Sequence, residues 1–453
     1  MSDLFSIDEL VEITGGHAEN ISAEGVSSIS IDSRTLKPGG LYVAIRGARF
    51  DGHGFVHKAV VNGAAAALVN QDKAIELAGL PLIIVPDALG GLEDIARAAR
   101  ARSNAKIVAI TGSAGKTTTK SMVEKILGRA GQTHASIKSY NNHWGVPLML
   151  ASLPESAEYG VFEIGMNHGG EITPLVKLVR PHVALVTNVG SAHIGNFENY
   201  QGIAEAKAEI LTGLEPGGVA IVNADHDFEE LFRRDATQRG DIEYLTFGFA
   251  RTADVGAFDH ADTKNGSRGQ ARFGKVLVNF ELSSKGKHMV SNAVGALCVA
   301  RALGVDFGLA VQGLADFTSS EGRGQVFHYT SGTRTLVLMD ESYNANPASM
   351  KAVLEVFGGM DARGGAKVLV LGDMLELGLR SHQLHMDLLD HIVESGAEKV
   401  FLVGEQMLSL KNPLAEFVEV EWAENSEQIA HTIALGLDYG DVVMVKGSLG
   451  IAL

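Results

Sequence analysis

Residues 110–120, ITGSAGKTTTK, directly follow the apolar run IVAI at 107–110. A short β run that enters a glycine turn, with Lys and Thr opening a helix, is a layout that cradles phosphate. Backbone N–H groups at the helix start face the anion, Lys116 supplies a point charge, and the Thr117 hydroxyl can ligate magnesium. The turn is shorter than the common G-x-x-x-x-G-K-[ST] loop, because Ile110 stands where that loop's first glycine belongs. It reads T-G-x-x-G-K-T, with Gly112 and Gly115 as the flexible points and Ser113, Ala114 and Thr118 completing the cradle.

Other residues suit the same chemistry. Glu163, in FEIGMN, is an ionisable group inside an apolar run, which is costly unless the carboxylate is paired or binds a metal. A satisfied structural carboxylate and a metal ligand are both open readings. His193, in TNVGSAHIGNF, follows a strand end and a glycine turn. Thr117, Glu163 and His193 together offer the oxygen and imidazole ligands that a divalent ion bridging phosphates uses. Lys207, in GIAEAKAEI, reads by itself as an ordinary exposed lysine on a helix.

Positioning such groups requires a scaffold, and the apolar runs supply one. KIVAIT (106–111), YGVFEIG (159–165), HVALVTNVG (182–190), GGVAIVNAD (217–225), TLVLMDES (335–342), AKVLVLGDM (366–374), KVFLVG (399–404) and DVVMVKGS (441–448) read as buried parallel strands alternating with helical patterns. The architecture is α/β. Lys116, Glu163, Asn188 with His193, Asp340, Asp373 and Lys446 fall within or just after the carboxyl ends of these runs, the edge at which open α/β sheets bind ligands.

Two breaks divide the chain into 1–86, 87–318 and 319–453. The first part carries short strands, a Pro-Gly turn and several cations in VSSISIDSRTLKPGGLYVAIRGARFDGHGF, and a helix-like stretch near 88–103 leads out of it. The second break lies at the glycine-rich SSEGRGQVF, 319–327. Between them, 251–285 reads as an antiparallel excursion before a helix starting near His288.

Composition narrows the partners. The 453 residues suit two to four domains, and 54 acidic against 38 basic residues give a net charge of −16, which argues against a nucleic-acid footprint. The single Cys298, in NAVGALCVARAL, reads as a small buried hydrophobe and excludes an internal disulfide framework. MSDLFSIDELVEITGG lacks a basic leader region, and no run of about 20 apolar residues occurs, so a cytoplasmic protein without membrane insertion is expected.

Taken in order over nearly the whole chain, TGSAGKTTTK, FEIGMNHGGEI, TNVGSAHIGNF, EAKAEI, DESYNANPASM and LGDMLELG resemble the Mur ligases, cytoplasmic ATP-dependent enzymes that build the peptidoglycan stem peptide by amide formation. Within that family YNANP and the T-G-S-x-G-K-T-T-T-K loop resemble the member that joins D-alanyl-D-alanine to UDP-N-acetylmuramoyl-tripeptide. The D-N-P-R signature of the member adding the third residue is absent. The resemblance implies a small α/β N-terminal domain for the UDP-sugar, a central ATPase with a mostly parallel sheet, and a Rossmann-like C-terminal domain that closes over the nucleotide. It also implies a monomer acting on small molecules.

On the same ground Lys207 matches a lysine that becomes carbamoylated and, with His193, helps hold a second magnesium ion. A carbamate turns a cation into an oxygen ligand and forms only from a neutral amine. Lys116 and His193 would join Lys207 as the catalytic set. Asn292 matches an adenine contact, Arg323 a phosphate-reaching arginine, and Asp340 a ribose-binding carboxylate, while Tyr343, Asn344 and Asn346 would line the nucleotide side. Ser33, Arg34 and Arg49 match the uridine-diphosphate segment, and Asn141, Asn142 and Asn188 fall where the sugar-peptide is met. The implied reaction passes through an acyl phosphate.

The family's H-N-x-x-N is here His288-Met289-Val290-Ser291-Asn292, and its K-G-S-R is Lys446-Gly447-Ser448-Leu449. An asparagine and an arginine of the family pattern are therefore missing, and a less well packed closing domain is expected. A folylpolyglutamate synthase-like ligase would share the ATP chemistry without the N-terminal DSRTLKPGGLYVAIRG unit. A P-loop kinase or switch NTPase would leave DESYNANP and EAKAEI unexplained.

Overall fold

The computed structural model describes residues 3–47, 50–362 and 364–453. The expectation for Arg49 lies outside the described residues. The rest form three sheets, each built from one stretch of chain, with a separate two-stranded pair of Phe5–Ser6 and Gly25–Val26 beside the first.

The first sheet has the order His17–Glu19, Leu82–Val85, Ala66–Asn70, Leu41–Val43, Ile29–Ser30. Only His17–Glu19 runs antiparallel to its neighbour. Every residue of AALVN at 66–70 is buried, as an apolar run without alternation requires. The helix Ala88–Arg102 leaves this sheet with its first turn capped by Asp87, whose Oδ2 accepts from Gly90 N at 2.8 Å. Leu92, Ile95, Ala96 and Ala99 recur at helical spacing and are fully buried. Each large apolar side chain among them stabilises by about 1.5–3 kcal/mol. Arg102 ties the helix back to the start of the chain by donating to Leu4 O at 2.8 Å and lying 3.8 Å over the Phe5 ring.

The second sheet positions the site. Its order is Thr133–Ala135, Tyr159–Glu163, Lys106–Thr111, Val183–Val186, Val219–Asn223, Glu243–Gly248, Val255–Thr263, Gly266–Phe273, Val276–Leu282. Strands are parallel as far as Val255–Thr263, and the last three are mutually antiparallel, the expected excursion at 251–285. The chain lays Tyr159–Glu163 on one side of Lys106–Thr111 and Val183–Val186 on the other, so the order reverses at the strand feeding the glycine turn. A crevice opens at such a switch point. One face is sealed by the helix Lys287–Ala302, in which Cys298 is fully buried, its thiol pushed up by burial.

The third sheet runs Gln325–Ser331, Arg334–Asp340, Val442–Lys446, Lys367–Gly372, Lys399–Val403, Glu419–Ala423. The strand expected at 335–342 is half-buried, pairing parallel with Val442–Lys446 but antiparallel with the exposed edge strand Gln325–Ser331. Val442–Lys446 sits between two strands that precede it in sequence, giving a second switch point with Lys446 at its carboxyl end. Among the last residues, Ile451 and Leu453 pack against a core of Val368, Val370 and Val443, while Leu449 is exposed. Among the described residues no helix is long and apolar enough to cross a membrane.

Candidate active site

The loop 112–115 joins the strand Lys106–Thr111 to the helix Lys116–Ala130. Its glycines are required by geometry. Gly112 has φ 151° and an added Cβ would fall 1.9 Å from Thr187 Oγ1, while Gly115 has φ 78° and a Cβ there would lie 2.6 Å from Asn292 Oδ1. Gly115 is the N-cap and no side chain caps the helix, so the first-turn N–H groups are free for an anion. The loop is held from the neighbouring strand end. Asn188 Oδ1 accepts from Ala114 N at 2.9 Å, Thr187 Oγ1 donates to Ala114 O at 2.5 Å, and Ser113 Oγ accepts from Gly190 N at 2.8 Å. Lys116 Nζ folds back to donate to Gly112 O at 2.8 Å, and burial holds its pKa below the ordinary lysine value.

At the carboxyl end of the next strand Glu163 is 1% exposed. Its Oε2 accepts from Thr117 Oγ1 and its Oε1 from Asn141 Nδ2, both at 2.7 Å. Both partners are neutral, so a buried carboxylate with no ion pair among the described residues faces the phosphate loop, a donor set that suits a cation. Among the described residues no group of three or more His, Cys, Asp or Glu side chains gathers at metal-binding spacing. Thr117, Glu163 and His193 all line the one cleft, with Thr117 and Glu163 in direct contact. His193 lines the same cleft, its pKa lowered first by burial and then by Lys116, which favours the neutral ligating ring.

Lys207 departs most from its own local reading. On the helix Tyr200–Ala208 it is 1% exposed, and no carboxylate forms a salt bridge with it among the described residues. Burial, then repulsion from Lys116, pulls its pKa well below 10.5. Burial that disfavours the charged amine is the condition that carbamoylation needs.

The cleft, of about 490 Å³, is closed by the C-terminal unit. Arg323 reaches across to donate from Nη2 to Ser139 Oγ at 3.1 Å, and its guanidinium stacks 3.9 Å over the Tyr343 ring. Asn344 and Asn346 line the wall, and Asn346 also caps the helix Pro347–Gly358 through Ser349 N at 2.9 Å. Asn292 lines the opposite wall with His288, whose pKa burial and Lys446 push down to about 4.

Sequence reasoning passed over several residues here. Glu341 and Lys446 form a buried pair at 3.7 Å, and Lys446 Nζ donates to Asn344 O at 2.8 Å. Burial pushes each toward its neutral form and each holds the other charged. Lys446 is one of the strand-end residues the sequence points to, but Glu341 reads only as a turn residue beside Asp340. Ser139 and Glu376 carry no sequence signal beyond their loops.

Other expected residues lie away from the cleft wall. The Asp340 carboxylate is engaged by Gly322 N at 2.9 Å and by Ser342 N and Oγ at 3.0 and 2.6 Å, so it organises the turn. Asn142 Oδ1 holds the turn before the helix Gly145–Ala151 by accepting from Trp144 N at 3.2 Å and Gly145 N at 2.9 Å. Ser33 is buried and its carbonyl accepts from Asn62, while Arg34 is exposed and pairs with Asp32 at 2.7 Å. The segment 138–144 links these groups to the cleft. Lys138 and Tyr140 act on the charges of Asp32 and Arg34, and Trp144 packs against Gly47, where an added Cβ would lie 3.0 Å from the indole.

The family descriptions "Mur ligase family, catalytic domain", "Mur ligase middle domain" and "Mur ligase, glutamate ligase domain" match residues 25–113, 110–300 and 322–449. The UDP-N-acetylmuramoyl-tripeptide--D-alanyl-D-alanine ligase of Escherichia coli K12 is 33% identical across 99% of this chain and 96% of that protein. Crystal structure I of MurF from Acinetobacter baumannii superposes with a TM-score of 0.84 at 31% identity, covering 99% of this chain and 96% of that one. MurF of Thermotoga maritima in complex with ADP gives 0.73 at 27% identity over 94% of each chain. With its three matched segments, its two switch-point crevices and its phosphate loop, the chain belongs to the Mur ligase family.

Proposed function

We propose that this chain joins D-alanyl-D-alanine to UDP-N-acetylmuramoyl-tripeptide, with ATP as the energy source, in the cytoplasm. One observation carries the reading. A single cleft brings the uncapped phosphate loop and the Thr117–Glu163 pair of the middle unit against Arg323, Tyr343 and Lys446 of the C-terminal unit, in a chain matched almost end to end by relatives named for that reaction. The three units are taken as 1–86, 87–318 and 319–453.

The γ-phosphoryl group of ATP would pass to the terminal carboxylate of the tripeptide, and the dipeptide amine would then displace phosphate from the acyl phosphate. The loop N–H groups, Lys116 and Arg323 stabilise the charge that gathers during both steps. Thr117, Glu163, His193 and a carbamoylated Lys207 would hold two magnesium ions, which when bound neutralise phosphoryl oxygens. Lys207 reaches that form when its neutral amine adds carbon dioxide and releases a proton. Asn292, Asn344 and Asn346 would line the nucleotide, with Asp340 toward the ribose. Ser33, Arg34 and Arg49 would meet the diphosphate, and Asn141, Asn142 and Asn188 the sugar-peptide. The Glu163–Asn141 bond supports this last placement, because it joins that segment to the phosphate loop.

Incubation with ATP, magnesium, the UDP-tripeptide and D-alanyl-D-alanine should yield a UDP-pentapeptide by mass spectrometry, and recovery of the unchanged tripeptide would refute the assignment. Arg323→Ala should raise the KM for ATP by about 10–100-fold, since a charge-assisted contact contributes roughly 1.5–3 kcal/mol. An unchanged KM would confine Arg323 to holding Ser139.

A further inference from the structure

Nothing in the middle unit alone accounts for the setting of His193. Its backbone is left-handed at φ 63°, an uncommon conformation for a non-glycine residue. Its Nδ1 lies 2.5 Å from Oε2 of Glu376, a residue of the C-terminal unit that is also left-handed at φ 63°. The two units meet closely around this pair. Gly195 N donates to the Glu376 carbonyl at 3.0 Å, and a Cβ on Gly378 would fall 2.8 Å from Gly195 Cα. Arg380 sits 5.5 Å over the ring of Tyr200, the first residue of the helix that carries Lys207. One short segment, 376–380, thus touches both the His193 turn and the start of the helix that carries Lys207.

We infer that Glu376 is a positioning residue for His193, and that docking of the C-terminal unit completes the metal shell of the middle unit. The inference rests on the metal-ligand role proposed above for His193. A carboxylate accepting from Nδ1–H fixes the imidazole tautomer and leaves Nε2 as the nitrogen able to ligate. Ligating histidines commonly hand their other N–H to a carboxylate, and losing that partner costs about 10–100-fold in metal affinity. Here the partner belongs to another unit. Metal binding and docking then favour each other by the same factor.

The test is manganese(II) binding to the full chain, followed by electron paramagnetic resonance with a non-hydrolysable ATP analogue present. Parent, His193→Ala, Glu376→Ala and Glu376→Gln proteins are compared, with small-angle scattering and a melting curve for each. Glu376→Ala and His193→Ala should both weaken manganese by about 10–100-fold. Glu376→Gln should recover part of the loss, because its amide oxygen still accepts from Nδ1–H. Metal should compact the parent more than Glu376→Ala, at unchanged melting temperature. Parent-like manganese affinity in Glu376→Ala, with affinity lost in His193→Ala, would overturn the positioning role and leave the metal role of His193 standing. Parent-like affinity in His193→Ala would remove that metal role and this inference with it.

Discussion

Lys207→Ala should lower kcat by about 10³-fold or more, with no rescue by bicarbonate and partial rescue by formate or acetate, because a small carboxylate can stand where the carbamate oxygens belong. The magnitude follows from losing a preorganised charge at the reacting phosphoryl group. Stability should move the other way. Lys207 is buried, and its pKa lies well below 10.5. The unfolded chain therefore binds a proton that the folded chain does not, so the unfolding free energy rises with pH across the window between the folded value and about 10.5. Lysine at this position is most destabilising below its folded pKa and costs nothing once pH exceeds its ordinary value. Lys207→Met should then abolish ligation and raise the melting temperature near neutral pH, by about 2–4 °C for each kcal/mol in a unit of this size, with the gain shrinking toward pH 10. Calorimetry across pH reads this directly. Full activity in the alanine variant would remove the carbamate from the mechanism.

Lys116→Ala has the second large effect, and it acts through two routes. Removing the point charge from the phosphate loop should cost about 10²–10³ in kcat. Lys116 also helps hold Lys207 in its neutral form by repulsion. Without it the Lys207 pKa rises, the neutral amine becomes scarcer near pH 7, and carbamate formation needs higher pH or more carbon dioxide. The residual activity of Lys116→Ala should consequently climb more steeply between pH 7 and 9 than that of the parent, and respond to added bicarbonate. Lys116→Arg should restore little, since a planar fork cannot replace a compact ammonium folded against Gly112 O at 2.8 Å. A pH profile parallel to the parent's would separate the two lysines.

Local pattern made the phosphate loop and the eight strands legible, because strand, glycine turn and helix start are contiguous in sequence. Glu163 was legible for a similar reason, as a charge inside an apolar run. Lys207 was not. Its helix reads as solvent-facing, and its burial exists only once the surrounding elements pack. Glu341 and Lys446, about a hundred positions apart, meet because Val442–Lys446 inserts beside Arg334–Asp340, which no short-range spacing encodes. Gln325–Ser331 escaped for the opposite reason: an exposed edge strand has no apolar signature. The resemblance alone supplied Asp340 as a ribose ligand; the structure adds that its carboxylate holds the turn by accepting from Gly322 and Ser342.

The most direct measurement is phosphate release from ATP with magnesium and UDP-N-acetylmuramoyl-tripeptide, with and without D-alanyl-D-alanine, beside a control offering glutamate and folate. The account predicts one phosphate released for each dipeptide consumed and no stimulation in the control. Turnover indifferent to the dipeptide would contradict it, leaving a nucleotide site without the ligase.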